Sequence, residues 1–283
     1  MVVTYPIGRD ALSYWRQALE SWAIPSEILD AAAESPWTLP AAPFIVRARR
    51  QVAEPSGESY HCAAADLPPG GSVLDVGAGA GAASLALSEK AGHIVAVDTN
   101  ASFLDTFRGL AEGQHIGAET IIGQWPDVAE RAAVADIVVC HHVLYNVADL
   151  APFVTALSAH ARRRVVVEIS DRHPMTPWNP LWKRFHGLDR PSAPTASDAV
   201  AAITSLGFAP HVIRWQRPAT LEAMTFDDLV SMTGRRLCLG PDRVDDVAAA
   251  IRDLGVDPAV PTLGGTMRDT ATIWWAGAAN DTP

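Results

Sequence analysis

The sequence predicts an α/β fold built on a doubly wound, mostly parallel sheet. Three observations predict it. A short apolar β-run closes on a glycine-rich turn in Val73-Leu-Asp-Val-Gly-Ala-Gly-Ala-Gly81. A second β-run, residues 92–98, ends in the carboxylate of Asp98. From there to residue 169, apolar β-runs alternate with helical periodicity, as in a parallel sheet covered on both faces.

The glycine turn organises the rest. A strand that stops at alternating glycines and restarts as a helix can cradle a nucleotide, because backbone N–H groups approach the ligand and a helix N-terminus faces it. Residues 82–90 are expected to form that helix. Asp75 lies at the strand's carboxyl end, where an anion suits an ammonium or other cation better than a pyrophosphate. Asp98 follows after about 20 residues, one strand–helix–strand unit, where a carboxylate takes ribose hydroxyls.

In this acidic-x-Gly-x-Gly-x-Gly pattern the sequence resembles the class I S-adenosylmethionine-dependent methyltransferases. The resemblance is good over residues 60–170 and in outline elsewhere. It implies a Rossmann-like sheet of seven strands, the last antiparallel, with S-adenosylmethionine as cofactor and S-adenosylhomocysteine as product. It implies that Gly77, Ala78, Gly79 and Gly81 line the methionine part, that Asp75 faces its amino group, and that Asp98, followed by Thr99, holds the ribose. The turn also satisfies the dinucleotide fingerprint through Gly77, Gly79 and Ala82, so an NAD-linked or catalytically silent nucleotide binder is the alternative of a different class.

Along the chain, residues 9–54 look helical, with helices expected at 10–22, 26–33 and 44–54. Leu12, Trp15, Leu19 and Trp22 share one face, and core packing is expected for the tryptophans. The resemblance implies that residues 1–58 form a helical cap over the site, leaving 59–283 as the methyltransferase domain. Tyr60 and His61 precede the first strand and are candidates for the cofactor mouth. Strands are expected at 72–76, 93–97, 119–122, 136–140 and 164–169, with helices at 100–110 and 148–161. After the third strand, the resemblance implies a polar residue near the adenine amino group, for which Gln124 and Asp127 are at hand. Trp125 either stacks on the adenine or packs beneath the Pro126 turn.

Asp136-Ile-Val-Val-Cys-His-His-Val-Leu-Tyr-Asn-Val147 carries the fourth strand to the edge where open α/β sheets bind ligands. The family's nucleic-acid amino-methylating members have Asn/Asp-Pro-Pro-Tyr/Phe there. Its absence argues against that chemistry, and the run looks like the exit of small-molecule methyltransferases. His141 is assigned to the cofactor side. His142, Tyr145 and His186 are the catalytic candidates, His142 first as general base, with His173 a further base by position. Residues 170–194 are expected to be an irregular lid carrying Trp178 and Trp182 on the acceptor side. A helix over 195–206, a sixth strand over 211–216, a helical insertion over 218–268 with helices at 226–239 and 242–254, and a last strand over 270–275 complete the chain.

Composition narrows the partners. A net charge of −10 weighs against a broad nucleic-acid footprint. The arginine clusters at 47–50 and 162–164 read as a solvated helix face and a helix C-terminus. Three dispersed cysteines suit a reducing cytoplasm, no residue cluster has metal spacing, and neither a leader nor a membrane-spanning run is expected. The expected partner is a small-molecule methyl acceptor, with RNA or protein as the alternative.

Overall fold

A computed structural model describes residues 10–38, 41–219 and 224–279. Its frame is a seven-stranded sheet in the order β3-β2-β1-β4-β5-β7-β6. The strands are β1 (Gly71–Val76), β2 (Ala91–Asp98), β3 (Gly117–Ile122), β4 (Ala135–His141), β5 (Ala161–Ser170), β6 (His211–Pro218) and β7 (Met267–Ala276). β1 to β5 pair in parallel, and β7 lies antiparallel between β5 and β6. The order runs outward from β1 in both directions, so the β1–β4 junction is a topological switch point, where loops diverge and leave a crevice.

Strands buried on both faces read as continuous apolar runs, and Val165, Val166 and Val167 of β5 are fully buried. One face packs on α1 (Ala11–Glu20), α6 (Leu150–Ala159) and α8 (Ala196–Ser205), around Leu74, Val138, Val167 and Trp275. The other carries α4 (Glu58–Asp66) and α5 (Ala101–Gly113), around Val73, Ile94, Val139 and Val166. A third apolar cluster joins α7 (Asn179–His186), α9 (Phe226–Arg236) and α10 (Val244–Asp253) beside Ile24, with α2 (Ser26–Leu29) packed against it through Ile28.

Three sequence expectations change. Residues 82–90 form turns and a single 3-10 turn, Leu85–Leu87, instead of a helix. The Ser84 N–H donates to Asp75 Oδ2 rather than to a carbonyl one turn back, and β2 begins at Ala91, so no helical ladder is established. The supposed irregular stretch contains α7, an amphipathic helix whose Leu181 and Trp182 are buried and which ends at Gly187 in the left-handed conformation. Arg162, Arg163 and Arg164 open β5 instead of closing a helix, because α6 stops at Ala159; Arg164 pairs with Asp66 at 3.1 Å.

The N-terminal tryptophans go to the core. Trp15 is fully buried and its Nε1–H donates to the Val147 carbonyl at 2.8 Å. Trp22 Nε1–H donates to the Ala193 carbonyl at 2.6 Å, and its ring stacks on His173. α3 (Ala42–Ala53) lies against the Leu85–Leu87 turn, which brings its Arg47 to the carboxyl edge of the sheet.

Candidate active site

The cradle is built by backbone conformation. Gly77, Gly79 and Gly81 have φ of +72°, +53° and +88°, a region that non-glycine residues seldom enter. Packing alone also demands two of them. A Cβ on Gly77 would lie 2.3 Å from Val143 Cγ2, and one on Gly81 would lie 2.6 Å from Leu85 Cδ1 and from Phe107 Cδ2. At Gly79 an added Cβ meets nothing within 4 Å. Gly79 therefore faces open space, the one position of the three where a missing side chain leaves room for a ligand.

Asp98 fixes this turn. Its Oδ2 accepts the Gly79 N–H at 2.8 Å and its Oδ1 accepts the Asn100 N–H at 2.8 Å. Each oxygen keeps a lone pair for a further donor. Asp75 is 1% exposed; its Oδ2 accepts from Ser84 Oγ at 2.6 Å, while Oδ1 is buried with no partner among the described residues. Burial pushes the Asp75 carboxyl up to about 7, partly offset by the Ser84 hydrogen bonds.

A second cluster occupies the tips of β4 and β5. His142 has φ +61° and is clamped to Glu168 twice: its N–H donates to the Glu168 carbonyl at 2.7 Å, and Nε2 lies 2.8 Å from Oε1. Arg47 donates to Oε1 at 2.9 Å, Arg217 Nε stands 3.7 Å from the same oxygen, and His141 Nδ1 lies 3.9 Å from Oε2. Burial, reinforced by the arginines, holds His141 at about 4 and His142 at about 3. Burial of Glu168 opposes its ionisation, but the His142 hydrogen bond and the adjacent Arg47 hold it well below the usual range. The group is thus one carboxylate, two guanidinium ions and two neutral imidazoles. Neutral His142 must put its proton on Nε2, facing the carboxylate, which leaves the Nδ1 lone pair as the basic site. A left-handed non-glycine residue held by two bonds at a strand tip is strain of the kind found at functional sites.

Residues 74–165 match a family model described as a methyltransferase domain. That segment carries a methyltransferase domain. No curated protein is similar enough in sequence to match it. The fold is shared with the YcgJ protein of Bacillus subtilis at a TM-score of 0.52 and 17% identity, over 82% of this chain and 100% of that one. It is also shared with a cyclopropane-fatty-acyl-phospholipid synthase-like protein of Lactobacillus casei at a TM-score of 0.51 and 15% identity, over 88% of this chain and 97% of that one.

The other candidates of this methyltransferase fall in different places. Ala78 is buried on the glycine turn, and Thr99 and Gln124 are exposed after β2 and β3. Trp125 is 5% exposed, packed in the core with its edge toward His160 and Nε1–H directed at the Phe153 carbonyl, as in the packing alternative. Tyr145 is buried against Trp15, and its hydroxyl donates to the Ser170 carbonyl at 2.9 Å. Burial raises its pKa further, which removes it from base chemistry near neutral pH. His173 lies beneath Trp22, held at about 4 by burial. Trp178, Trp182 and His186 come together in the α7–α9–α10 cluster, where His186 Nε2 is 2.7 Å from the Leu237 carbonyl and Trp178 Nε1–H donates to Thr233. That carbonyl requires Nε2 to carry the proton, so this nitrogen is no base.

Three residues that the sequence left aside belong to the site: Glu168, Arg47 and Arg217. Glu168 is a lone charge within the apolar run 165–169 of β5, and that contrast was its signal. Arg47 was assigned to a solvated helix face; the structure turns it inward to Glu168 because α3 crosses the strand edge. Arg49 and Arg50, on the same helix, remain exposed. Replacing Glu168 with glutamine should leave two guanidinium ions uncompensated. The expected loss is about 3 kcal/mol, the low end for a broken buried pair because both head groups are partly open to water. Urea unfolding of the variant measures it.

Proposed function

We propose that this methyltransferase acts on a small-molecule acceptor, with the cofactor seated against Gly79 and Asp98 and the acceptor beside His141, His142 and Glu168. The observation that carries the reading is a cavity of ≈ 90 Å³ bordered by Ala82 and Ala83 of the cradle turn and by His141 and Glu168 at the strand tips. α3 contributes Arg47, Arg50 and Gln51 to its border and α4 contributes Tyr60, which leaves a concave site of small-molecule size.

The residues fit the cofactor. Gly79 leaves the space, Asp98 offers two acceptors to a ribose, and the partnerless Asp75 Oδ1 suits an ammonium. S-adenosylmethionine supplies a methyl group on a sulfonium centre, transferred by in-line displacement. The chain's part is mainly alignment, from which most of the rate enhancement comes. His142 Nδ1 accepts a proton where the accepting atom is a hydroxyl or an ammonium. Glu168 holds the imidazole in the required tautomer and stabilises it when protonated. Among the described residues no group of three metal-binding side chains exists, and no helix is long and apolar enough to cross a membrane.

Asp75 gives this reading a pH signature. Below about 7 its carboxyl is protonated and has no charge for an ammonium; above, it is ionised. Affinity for S-adenosylhomocysteine should therefore strengthen about fivefold from pH 6 to pH 7, and Asp75→Asn should flatten the profile. Calorimetry across that range is the check. The acceptor class is tested by incubating cofactor-loaded protein with fractionated small metabolites, RNA and protein. A one-methyl mass gain confined to the small molecules supports the proposal; methylation of RNA or protein alone overturns it.

A further inference from the structure

The charges around Glu168 do not balance. With both histidines neutral, Arg47 and Arg217 share the single carboxylate of Glu168, and Arg50 lines the adjoining cavity. Arg217 Nε is buried and has no hydrogen-bond partner among the described residues, since 3.7 Å to Glu168 is beyond reach. His141 Nε2 is likewise buried without a partner. Both residues line the same ≈ 90 Å³ cavity, and Tyr60 and Trp215 supply aromatic walls. A guanidinium that shares its carboxylate with a second arginine and keeps a buried, unbonded Nε–H is stabilised by a further anion beside it.

We propose that this cavity seats the carboxylate of the methyl acceptor, with Arg217 as its principal partner. The proposal rests on the reading that the acceptor is a small molecule. A bound anion offsets this local excess of guanidinium charge. A planar carboxylate matches the guanidinium fork, and the His141 Nε2 position is available to its second oxygen. The space accommodates a carboxylate and its neighbouring atoms. Arg217 starts on β6, four strands from β1 in the sheet order, and its side chain reaches inward to Glu168 at the tip of β5, so the cofactor's own carboxylate is the competing occupant that the titrations below distinguish. The adjoining Ala82 and Ala83 keep the rest of a bound acceptor within reach of the cradle.

Benzoate and its uncharged analogue benzamide are the probes, titrated by calorimetry into the full chain loaded with S-adenosylhomocysteine. Wild type should bind benzoate at least about tenfold more tightly than benzamide. Arg217→Gln should erase that preference and Arg217→Lys restore part of it, with S-adenosylhomocysteine affinity unchanged in both, which also reports an intact fold. Equal affinity for the two probes in wild type overturns the proposal. So does a tenfold loss of S-adenosylhomocysteine affinity in Arg217→Gln, which would assign the cavity to the cofactor's carboxylate. If wild type binds no S-adenosylhomocysteine, the cofactor seat fails instead, and the same two titrations on unloaded protein still decide the cavity.

Discussion

Asp98→Ala is expected to weaken S-adenosylhomocysteine binding by about 10- to 150-fold, the equivalent of roughly 1.5–3 kcal/mol for charge-assisted hydrogen bonds. Two losses combine. The ribose loses its acceptors, and the Gly79 N–H loses the carboxylate that holds the turn open. Gly79→Val should act on the same step more severely. Its Cβ meets no protein atom, but a β-branched side chain at φ +53° is strained and fills the space meant for the ligand. Binding should be lost while most of the thermal stability remains. Gly77→Val is the contrast: its side chain would collide with Val143, so the fold itself should suffer. Calorimetry and thermal melts on the three variants separate the cases, and normal cofactor affinity in Gly79→Val would remove the turn from the site.

His142→Asn is expected to lower turnover by roughly tenfold on an acceptor whose nucleophile is protonated, below the usual contribution of a positioned base because burial holds this imidazole at about 3, far from the operating pH. Asparagine tolerates the left-handed backbone that His142 adopts at φ +61°, so the substitution removes the imidazole with little added strain. Cofactor affinity should stay at the wild-type level because His142 contacts Glu168 rather than the cradle. Because burial keeps the imidazole neutral down to about 3, activity should not fall with His142 protonation anywhere near neutral pH. Single-turnover rates at saturating cofactor measure the effect. An unchanged rate with a hydroxyl or ammonium acceptor would take the base role from His142.

The sheet was legible in the sequence because its signals are local: β-runs, turn glycines and the strand-tip carboxylates of Asp75 and Asp98. The antiparallel seventh strand followed from the family resemblance and is observed between β5 and β6. What sequence reading missed depends on distance. Arg47, Glu168 and Arg217 come from three separated elements, and no spacing rule joins them. Glycine spacing suggested a helix after the turn, but the Ser84–Asp75 bonds, a side-chain interaction, diverted it. Trp182 and His186 sit at helical spacing, with a cluster of prolines just before them; the prolines concealed α7, whose apolar face is set by contact with α9 and α10.

The decisive measurement is the structure of the chain in complex with S-adenosylhomocysteine. The ribose hydroxyls are expected on Asp98, the amino acid part over Gly79 with its ammonium at Asp75 Oδ1, and the sulfur turned toward the cavity beside His141 and Glu168. A ligand bound with its ribose away from Asp98, or with its sulfur facing away from that cavity, would contradict this placement.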